Sequence, residues 1–535
     1  MKLFFSYDKF RINFFFRVKN NLNILITFLS VTLFITILLF ILSNFAPILN
    51  NATLSFIEKG VSILLLVSFV YSGLHCVGYM DHLMKSLTLY DNQLIEKLKI
   101  KIVKNSPPVA IIIPTLNEDP DMVKDTILKA KSIDYDNFEV VLIDSSKDAD
   151  IRHKTAIMSH KLNIKYIYRN TLRGYKAGSI NDAITDIDNI FKYILILDSD
   201  HRLKETVLKD LIPLMENDSD LTFIQTPQYF HVAENDRLGF AYSFQQHIFY
   251  KHICRGLCVN GSPYICGTNV IIKLEHLNEI GGMDETCITE DIATSFIFHS
   301  KGYKSIYVDK VYAEGLAPPS LSAYYGQQLR WSYGTFQNTK KILNKFIREP
   351  KSLKSLQWWE YIVLNGSWYF IGVAIVIWLL YPVLVLLLNM KPLVLGPLNI
   401  PFYIFLLMII SQTLTSFWER GYPIKGLILS QALFFSLFPV YTKAFIFGLI
   451  DKKLKFKVTP KKDVYKIQFI EILPQVSVIL LLTVSIIIGI FKVYNGENTV
   501  TYPSIIFWAS YSLIMLVIFM LYFYREDKKK HDVFN

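Results

Sequence analysis

Apolar positions follow two different patterns along this 535-residue chain. Toward both ends they run on for the length of a membrane crossing, roughly 20 residues of helix. Such runs occupy 23–43 ("NILITFLSVTLFITILLFILS") and 61–80, then 361–388, 399–418, 473–491 and 503–524. Between them, residues 105–345 carry short apolar runs: "VAIIIPT" (109–115), "FEVVLIDS" (138–145), "IKYIYR" (164–169), "YILILDSD" (193–200) and "LTFIQTP" (221–227). Helical patterns such as 119–132 and 203–216 separate them. Short strands alternating with helices predict an α/β domain with a parallel sheet and right-handed crossovers. The expected architecture is this domain inserted in an α-helical transmembrane bundle of about six spans. The stretch 425–450 is also apolar, but Pro439 and Lys443 interrupt it, and it reads as an interfacial helix in preference to a spanning one.

Basic residues orient the bundle, because they are retained on the cytoplasmic side. Lys2, Lys9, Arg11, Arg17 and Lys19 precede the first span, and Arg525 and Lys528 to Lys530 follow the last. Both ends and the α/β domain are therefore expected in the cytoplasm, with the spans in the plasma membrane. The segments 44–60, 389–398 and 493–502 are nearly free of Lys and Arg, as outside loops should be. Six spans satisfy these placements only if 425–450 is interfacial. The first apolar segment is too long for a signal-peptide core and lacks a small-residue cleavage site, so it is expected to be retained. The expected divisions are 1–100 with two spans, 101–345 as the cytoplasmic domain, and 346–535 as the second membrane region.

A hydrophobic content of 52% excludes an ordinary soluble protein. The net charge of +11 would suit nucleic acid, but much of the excess flanks membrane segments, where topology and anionic lipid account for it. No nucleic-acid partner is expected. Cys76, Cys254, Cys258, Cys266 and Cys287 form no CxxC pair and fall in the membrane or on the cytoplasmic side, so they are expected to be reduced and structural.

Candidate chemistry gathers where the strands end, which is where ligands bind in such sheets. Thr115, Asn117 and Glu118 follow the first strand, Asp144 the second, and Asp198 and Asp200 the fourth. With His201, the two aspartates offer a donor set for a hard divalent cation that bridges phosphate oxygens. A lone DxD is a weak signal, and Asp200 or His201 could instead cap the helix from 203. "ITED" (288–291) sets Glu290 and Asp291 before a helical pattern; either an N-cap or a general base fits that position. "QQLRW" (327–331) joins Gln327, Arg330 and Trp331, an arginine able to grip a diphosphate and a flat ring on which a sugar packs.

Taken in order, "PTLNE" (114–118), Asp144, "RGYKAGSIN" (173–181), "DSDH" (198–201), "QTPQ" (225–228), "CGTN" (266–269), "TED" (289–291), "GLAPPSL" (315–321) and "QQLRW" (327–331) resemble the family 2 processive glycosyltransferases. The nearest resemblance is to cellulose synthase catalytic subunits, over about residues 60 to 525. "KFKVTPKK" (455–462) resembles their FxVTxK gating loop, set here within 451–466, with Phe456, Thr459 and Lys461 at the matching positions. Topology alone would explain a basic loop there, though not the Phe, Val, Thr and Lys positions.

The resemblance implies a GT-A domain and an inverting transfer from UDP-glucose to a growing β-glucan, 1,4-linked or mixed 1,3/1,4-linked, which leaves through the membrane. Thr115, Glu118, Asp144, Lys176, Gln327, Arg330, Phe456, Thr459 and Lys461 would hold the nucleotide sugar. Asp198, Asp200 and His201 would hold Mg2+ or Mn2+, Asp291 would be the base, and Glu290, Cys266 and Trp331 would meet the acceptor. Trp368, Tyr369, Trp378 and Trp418 are candidate channel surfaces, and an accessory export subunit is a candidate partner. Departures from the pattern are Gln328, where cellulose synthases usually carry Arg, and Leu116, where Tyr is common. Two N-terminal spans of the bacterial enzymes are not expected, nor is a C-terminal PilZ domain. Other donors, UDP-N-acetylglucosamine or GDP-mannose, fit the same reaction class; a transporter with a nucleotide-binding domain is the reading from another class.

Overall fold

The computed structural model describes residues 45–90, 106–187, 190–232, 236–364, 367–390, 424–452, 467–497 and 501–524, with isolated positions before residue 45. Its strands are β1 (Val109–Thr115), β2 (Phe138–Asp144), β3 (Lys165–Tyr168), β4 (Tyr193–Ile196), β5 (Arg202–Leu203), β6 (Leu221–Gln225), β7 (Tyr229–His231), β8 (Val270–Lys273), β9 (Lys304–Tyr307) and β10 (Ala313–Leu316). Seven form one sheet in the order β3-β2-β1-β4-β8-β6-β9, and β5-β10-β7 form a small second sheet.

Strand β1 shows why these residues choose this layer. Successive side chains of a strand point to opposite faces. Val109, Ile111 and Ile113 enter a core with Val123 and Ile127 on one face. Ala110 and Ile112 enter a second core with Ala177 and Ile180 on the other. A strand buried on both faces reads as an unbroken apolar run, as "VAIII" does. The chain builds β1, β2 and β3 outward, then returns to lay β4 on the free side of β1. That reversal opens a crevice at the carboxyl ends of β1 and β4.

The sheet is mixed, which corrects the all-parallel expectation. Strand β8 runs antiparallel to both β4 and β6, with Val270 opposite Ile196 and Gln225. The cause is chain closure: the excursion after β6 begins and ends at the carboxyl edge, so the next strand must run back down. Strand β4 also stops at Ile196, leaving 197–200 as a loop beyond the sheet. This mixed sheet, with helices on its faces, is a GT-A-like arrangement.

Helices of interest are α1 (Phe56–Thr88), α2 (Tyr175–Asp186), α3 (Glu290–Ser300), α4 (Leu321–Arg348), α5 (Ile371–Leu387), α6 (Ile424–Phe435), α7 (Phe438–Leu449), α8 (Phe469–Tyr494) and α9 (Tyr502–Tyr524). Among the described residues three, α1, α8 and α9, are long and apolar enough to cross a membrane, or four if α6 and α7 form one bent span. The apolar stretch 425–450 is thus two helices, bent by 42°. Pro439 falls in the first turn of the second, where a missing N–H costs nothing. The expected span 361–388 is represented by the shorter α5, while most of 23–43 and all of 399–418 lie outside the described residues.

Helix α1 begins at a capping box, Ser55 with Glu58. Its 33 residues extend for ~50 Å, longer than the ~30 Å hydrocarbon layer. The surplus ends inside the α/β domain. Lys85 Nζ donates to Asp81 Oδ2 (2.7 Å) and Asn260 Oδ1 (2.8 Å), and His82 Nε2 lies 3.1 Å from Glu360 Oε2. All five side chains are buried. The close approach requires glycine at 256, where a Cβ would lie 2.3 Å from His82 Cδ2.

Trp378 is packed between helices: its indole N–H donates to Ser72 Oγ (3.2 Å), and its ring lies 4.7 Å from Phe69 and 5.3 Å from Trp508. Trp418 and the side chains of Trp368 and Tyr369 lie outside the described residues.

Candidate active site

A cleft of about 270 Å³ opens at the carboxyl edge of the sheet. Its walls bring together Thr115 and Glu118 after β1, Lys176 on α2, Asp198 and Asp200 after β4, and Cys266 before β8. Glu290 and Asp291 at the start of α3, and Gln327, Arg330 and Trp331 on α4, close it from the other side. Residues that are far apart in sequence meet here because each follows a strand end or starts a helix at the same edge.

Asp198 is fixed from its backbone, whose N–H donates to Thr268 Oγ1 (2.8 Å), while its carboxylate takes the Lys176 ammonium. Asp200 is buried; its Oδ2 accepts from the Leu316 N–H (3.3 Å) and its Oδ1 lies 3.2 Å from His201 Nδ1. His201 lies against Gly315, where a Cβ would come within 2.4 Å of the ring. Asp198, Asp200 and His201 can each turn one donor atom into a common space, all within 4.8 Å of one another. His201 Nε2 is buried without a hydrogen-bond partner. Two carboxylates, an imidazole and an orphaned ring nitrogen fit a divalent cation. So does the balance of charge: five carboxylates line the cleft against one lysine and one arginine. A diphosphate would be repelled by that excess unless a cation offset it.

Burial pushes both carboxyls of the "TED" motif upward, Asp291 to about 6 and Glu290, further raised by the neighbouring Asp291 charge, to about 8. Burial alone would lower Lys176, but Asp198, Glu290 and Asp291 outweigh it, so its ammonium is held above the ordinary lysine value. Burial brings Arg330 down to about 10 against the pull of Glu290, and it stays charged at neutral pH. Thr289 occupies the N-cap of α3 without a side-chain capping bond, which leaves Asp291 accepting from the Ile292 N–H (2.8 Å).

Gln327, Arg330 and Trp331 share one face of α4, as residues three and four apart do. Gln328 points the other way, buried, with its Oε1 accepting from Tyr441 of α7 (3.0 Å). The departure at 328 thus sits in the contact between α4 and α7 and not in the cleft.

Asp144 is expected at the nucleotide but is fully buried behind the cleft wall. Its Oδ1 accepts from the Ser146 N–H (2.8 Å) and its Oδ2 from the Tyr166 hydroxyl (3.0 Å), and Ser145 lines the cleft instead. Phe456, Thr459 and Lys461 lie outside the described residues. All five cysteines are free.

Gly267 lies within "CGTN" but has no side chain to single it out, and Gly334 and Asn338 lie outside every quoted motif. Gly267 has φ of +86°, and a Cβ there would lie 3.6 Å from Asp291 Oδ2 and 3.9 Å from Lys176 Nζ, inside the space where the carboxylate and ammonium face each other. Gly334 lets α4 close on α3: a Cβ would come within 2.6 Å of Thr289. Asn338 completes that contact, donating to Thr289 O (3.0 Å) and Oγ1 (2.8 Å). Both α4 residues lie on the helix that bears Arg330, three and seven positions past Trp331, which is the signal that could have found them.

Residues 193–409 match the family model described as glycosyl transferase family group 2. The chain is 27% identical to a cellulose synthase catalytic subunit [UDP-forming] of Pseudomonas fluorescens, over 76% of this chain and 55% of that protein. It is 26% identical to cellulose synthase 1 catalytic subunit [UDP-forming] of Komagataeibacter xylinus, over 77% and 55%. The chain thus spans about half the length of the curated relatives it matches. Among solved structures, the mannosyltransferase PcManGT of Pyrobaculum calidifontis, in complex with GDP-Man and Mn2+, aligns with a TM-score of 0.45 at 15% identity, covering 74% of this chain and 100% of that one. Residues 193–409 thus match a family 2 glycosyltransferase model, and about three quarters of the chain is similar to cellulose synthase catalytic subunits.

Proposed function

We propose that this protein is a processive, inverting glycosyltransferase of the plasma membrane that polymerises glucose from UDP-glucose into a β-glucan. The observation that carries the reading is one cleft in which a partly buried carboxylate of raised pKa, a cation-binding donor set and the "QQLRW" face converge. In this reading the acceptor hydroxyl oxygen bonds to the anomeric carbon from the side opposite the diphosphate. The bond from that carbon to the phosphate oxygen breaks, UDP departs with the electron pair, and the hydroxyl proton passes to Asp291 Oδ2. Asp291 suits the task because a base that titrates near neutrality both accepts the proton and is already ionised.

A divalent cation held by Asp198, Asp200 and His201 would offset the charge of the diphosphate. Arg330 and Lys176 add fixed positive charge on either side of the diphosphate, and Thr115, Glu118 and Ser145 form the wall against which the nucleoside lies. Trp331 offers the acceptor sugar a flat apolar face next to Cys266 and Glu290. The cytoplasmic placement of the domain and passage of the polymer through the bundle belong to the same proposal. So does the part of Phe456, Thr459 and Lys461, for which the motif is the support; Asp451, the first residue of the 451–466 segment, is paired with Lys340 of α4 (2.7 Å).

The test is to incubate purified protein in nanodiscs with one radiolabelled nucleotide sugar at a time, then digest any polymer with linkage-specific glucanases. UDP-glucose alone should give a polymer that a β-1,4- or mixed-linkage glucanase degrades. Polymer from UDP-N-acetylglucosamine or GDP-mannose and none from UDP-glucose would overturn the donor assignment.

A further inference from the structure

A second cleft, of about 720 Å³, lies at the opposite, amino-terminal edge of the sheet. We propose that it binds the phosphate headgroup of an anionic membrane lipid.

Its walls are mixed, with Leu214, Leu221, Tyr303 and Leu353 set beside Asn217, Asp218 and His299, and its rim carries Lys304, Lys351 and Lys354. Lys304 is held by Asp218 (3.1 Å) and Asp220 (3.1 Å). Among the described residues, Lys351 and Lys354 have no acidic partner. Between them in sequence, Ser352 also lines the cleft, and its Oγ is shielded from solvent without a hydrogen-bond partner. Two such ammonium groups and an unused hydroxyl around a partly apolar cavity match an amphiphile whose charged end is a phosphate.

The position selects a lipid over a soluble anion. Gly261 lines the cleft and adjoins Asn260, the residue that receives Lys85 from the end of α1. Gln357, also in the lining, donates to Gly261 O (2.8 Å), and the chain continues from there through Glu360 to the apolar α5. The cleft is therefore built where two apolar helices enter the domain. The inference rests on the proposed cytoplasmic placement of the domain, which would set lysines at that junction near the anionic surface of the cytoplasmic leaflet.

Titrate the detergent-purified full chain by calorimetry with dihexanoyl-phosphatidylglycerol, with dihexanoyl-phosphatidylcholine and with inorganic phosphate. Saturable binding of the anionic lipid, stronger than that of either other probe, is expected. The double variant Lys351→Glu/Lys354→Glu should weaken it by on the order of tenfold or more, while Lys351→Arg/Lys354→Arg retains it. UDP affinity should be unchanged in both, which separates loss of the site from loss of the fold. Exchanging Lys124 and Lys129, on a helix away from the cleft, for Glu should leave lipid binding unaltered. Equal lipid affinity in the parent and the Glu double variant would overturn the proposal. So would an equal loss in the Lys124/Lys129 control, or inorganic phosphate binding as tightly as the lipid.

Discussion

The two clefts stand on the same sheet, at opposite ends of its strands, and they handle charge in contrary ways. At the carboxyl edge the side chains are crowded and partly or wholly buried, and Lys176 is already paired with Asp198. Burial there raises two carboxyls far above the ordinary range. At the amino edge Lys351 and Lys354 are exposed and, among the described residues, have no acidic partner. Charges taken out of water interact strongly and must be balanced by whatever enters, whereas exposed charges are screened and cost little to leave alone. The first arrangement suits chemistry on a bound ligand; the second suits reversible attraction.

The largest effect that would sharpen this contrast is expected for Asp291→Asn. An amide retains the shape but takes no proton, so turnover should fall by on the order of 10²- to 10⁴-fold. UDP affinity by calorimetry should stay near that of the parent, and polymer yield equal to the parent's would remove Asp291 from the base role. Next comes Asp200→Ala, which deletes a ligand and its charge together; activity should drop and excess Mn2+ should restore only part of it. Full activity of the parent in EDTA would break the cation assignment.

A smaller loss is expected where only geometry changes. Gly334→Val would push α4 off Thr289 and shift Arg330 and Trp331 against Asp291. A displacement near 1 Å costs on the order of 100-fold in rate, so turnover should fall while UDP binding falls less. Unchanged turnover would show that the contact between α3 and α4 does not set the site.

The pH profile should respond more gently. Asp291 must be ionised to act, so with its pKa raised to about 6 the rate should climb with pH through that value. Lys176 holds the Asp291 pKa down, so Lys176→Met should move that limb to higher pH. A limb near pH 4, the range of an ordinary carboxylate, would contradict the burial described here. The raised carboxyls also make the native state bind more protons than the unfolded chain between the ordinary carboxylate range and about pH 8. Their contribution to stability therefore declines as pH rises through that window. The smallest effect on turnover is expected for Lys351→Glu/Lys354→Glu, and a loss like that of Asp200→Ala would erase the distinction between the clefts.

Much of the carboxyl-edge cleft is legible in the sequence alone. The apolar runs of β1, β2 and β4 are visible because a buried strand sets four or more apolar residues together, and the acidic residues at their ends mark the edge; β3 and β6 show only shorter runs. Strands β9 and β10 were missed: "KSIY" and "AEGL" are short and half polar, and they become strands only because a neighbour offers a free edge. The burial of Asp144 was equally hidden, since it depends on Tyr166, a residue of the adjacent strand. Nothing in "KSLKSLQ" marks Lys351 and Lys354 as the rim of a cavity, because its other walls come from residues more than forty positions away.

What the sequence determined by itself are the properties that neighbours in the chain decide: periodicity, apolar length, the chemistry of each strand end, and the motifs that identify the domain. Only the tertiary structure decided that β8 runs antiparallel, that Gly315 and Gly334 admit His201 and Thr289, that Gln328 faces Tyr441, and that α1 ends in a buried polar cluster with Asn260 and Glu360. Each of these is a contact between segments brought together by folding. Whether a side chain there is satisfied, crowded or shifted in pKa depends on its partner across that contact, and local sequence carries no record of the partner.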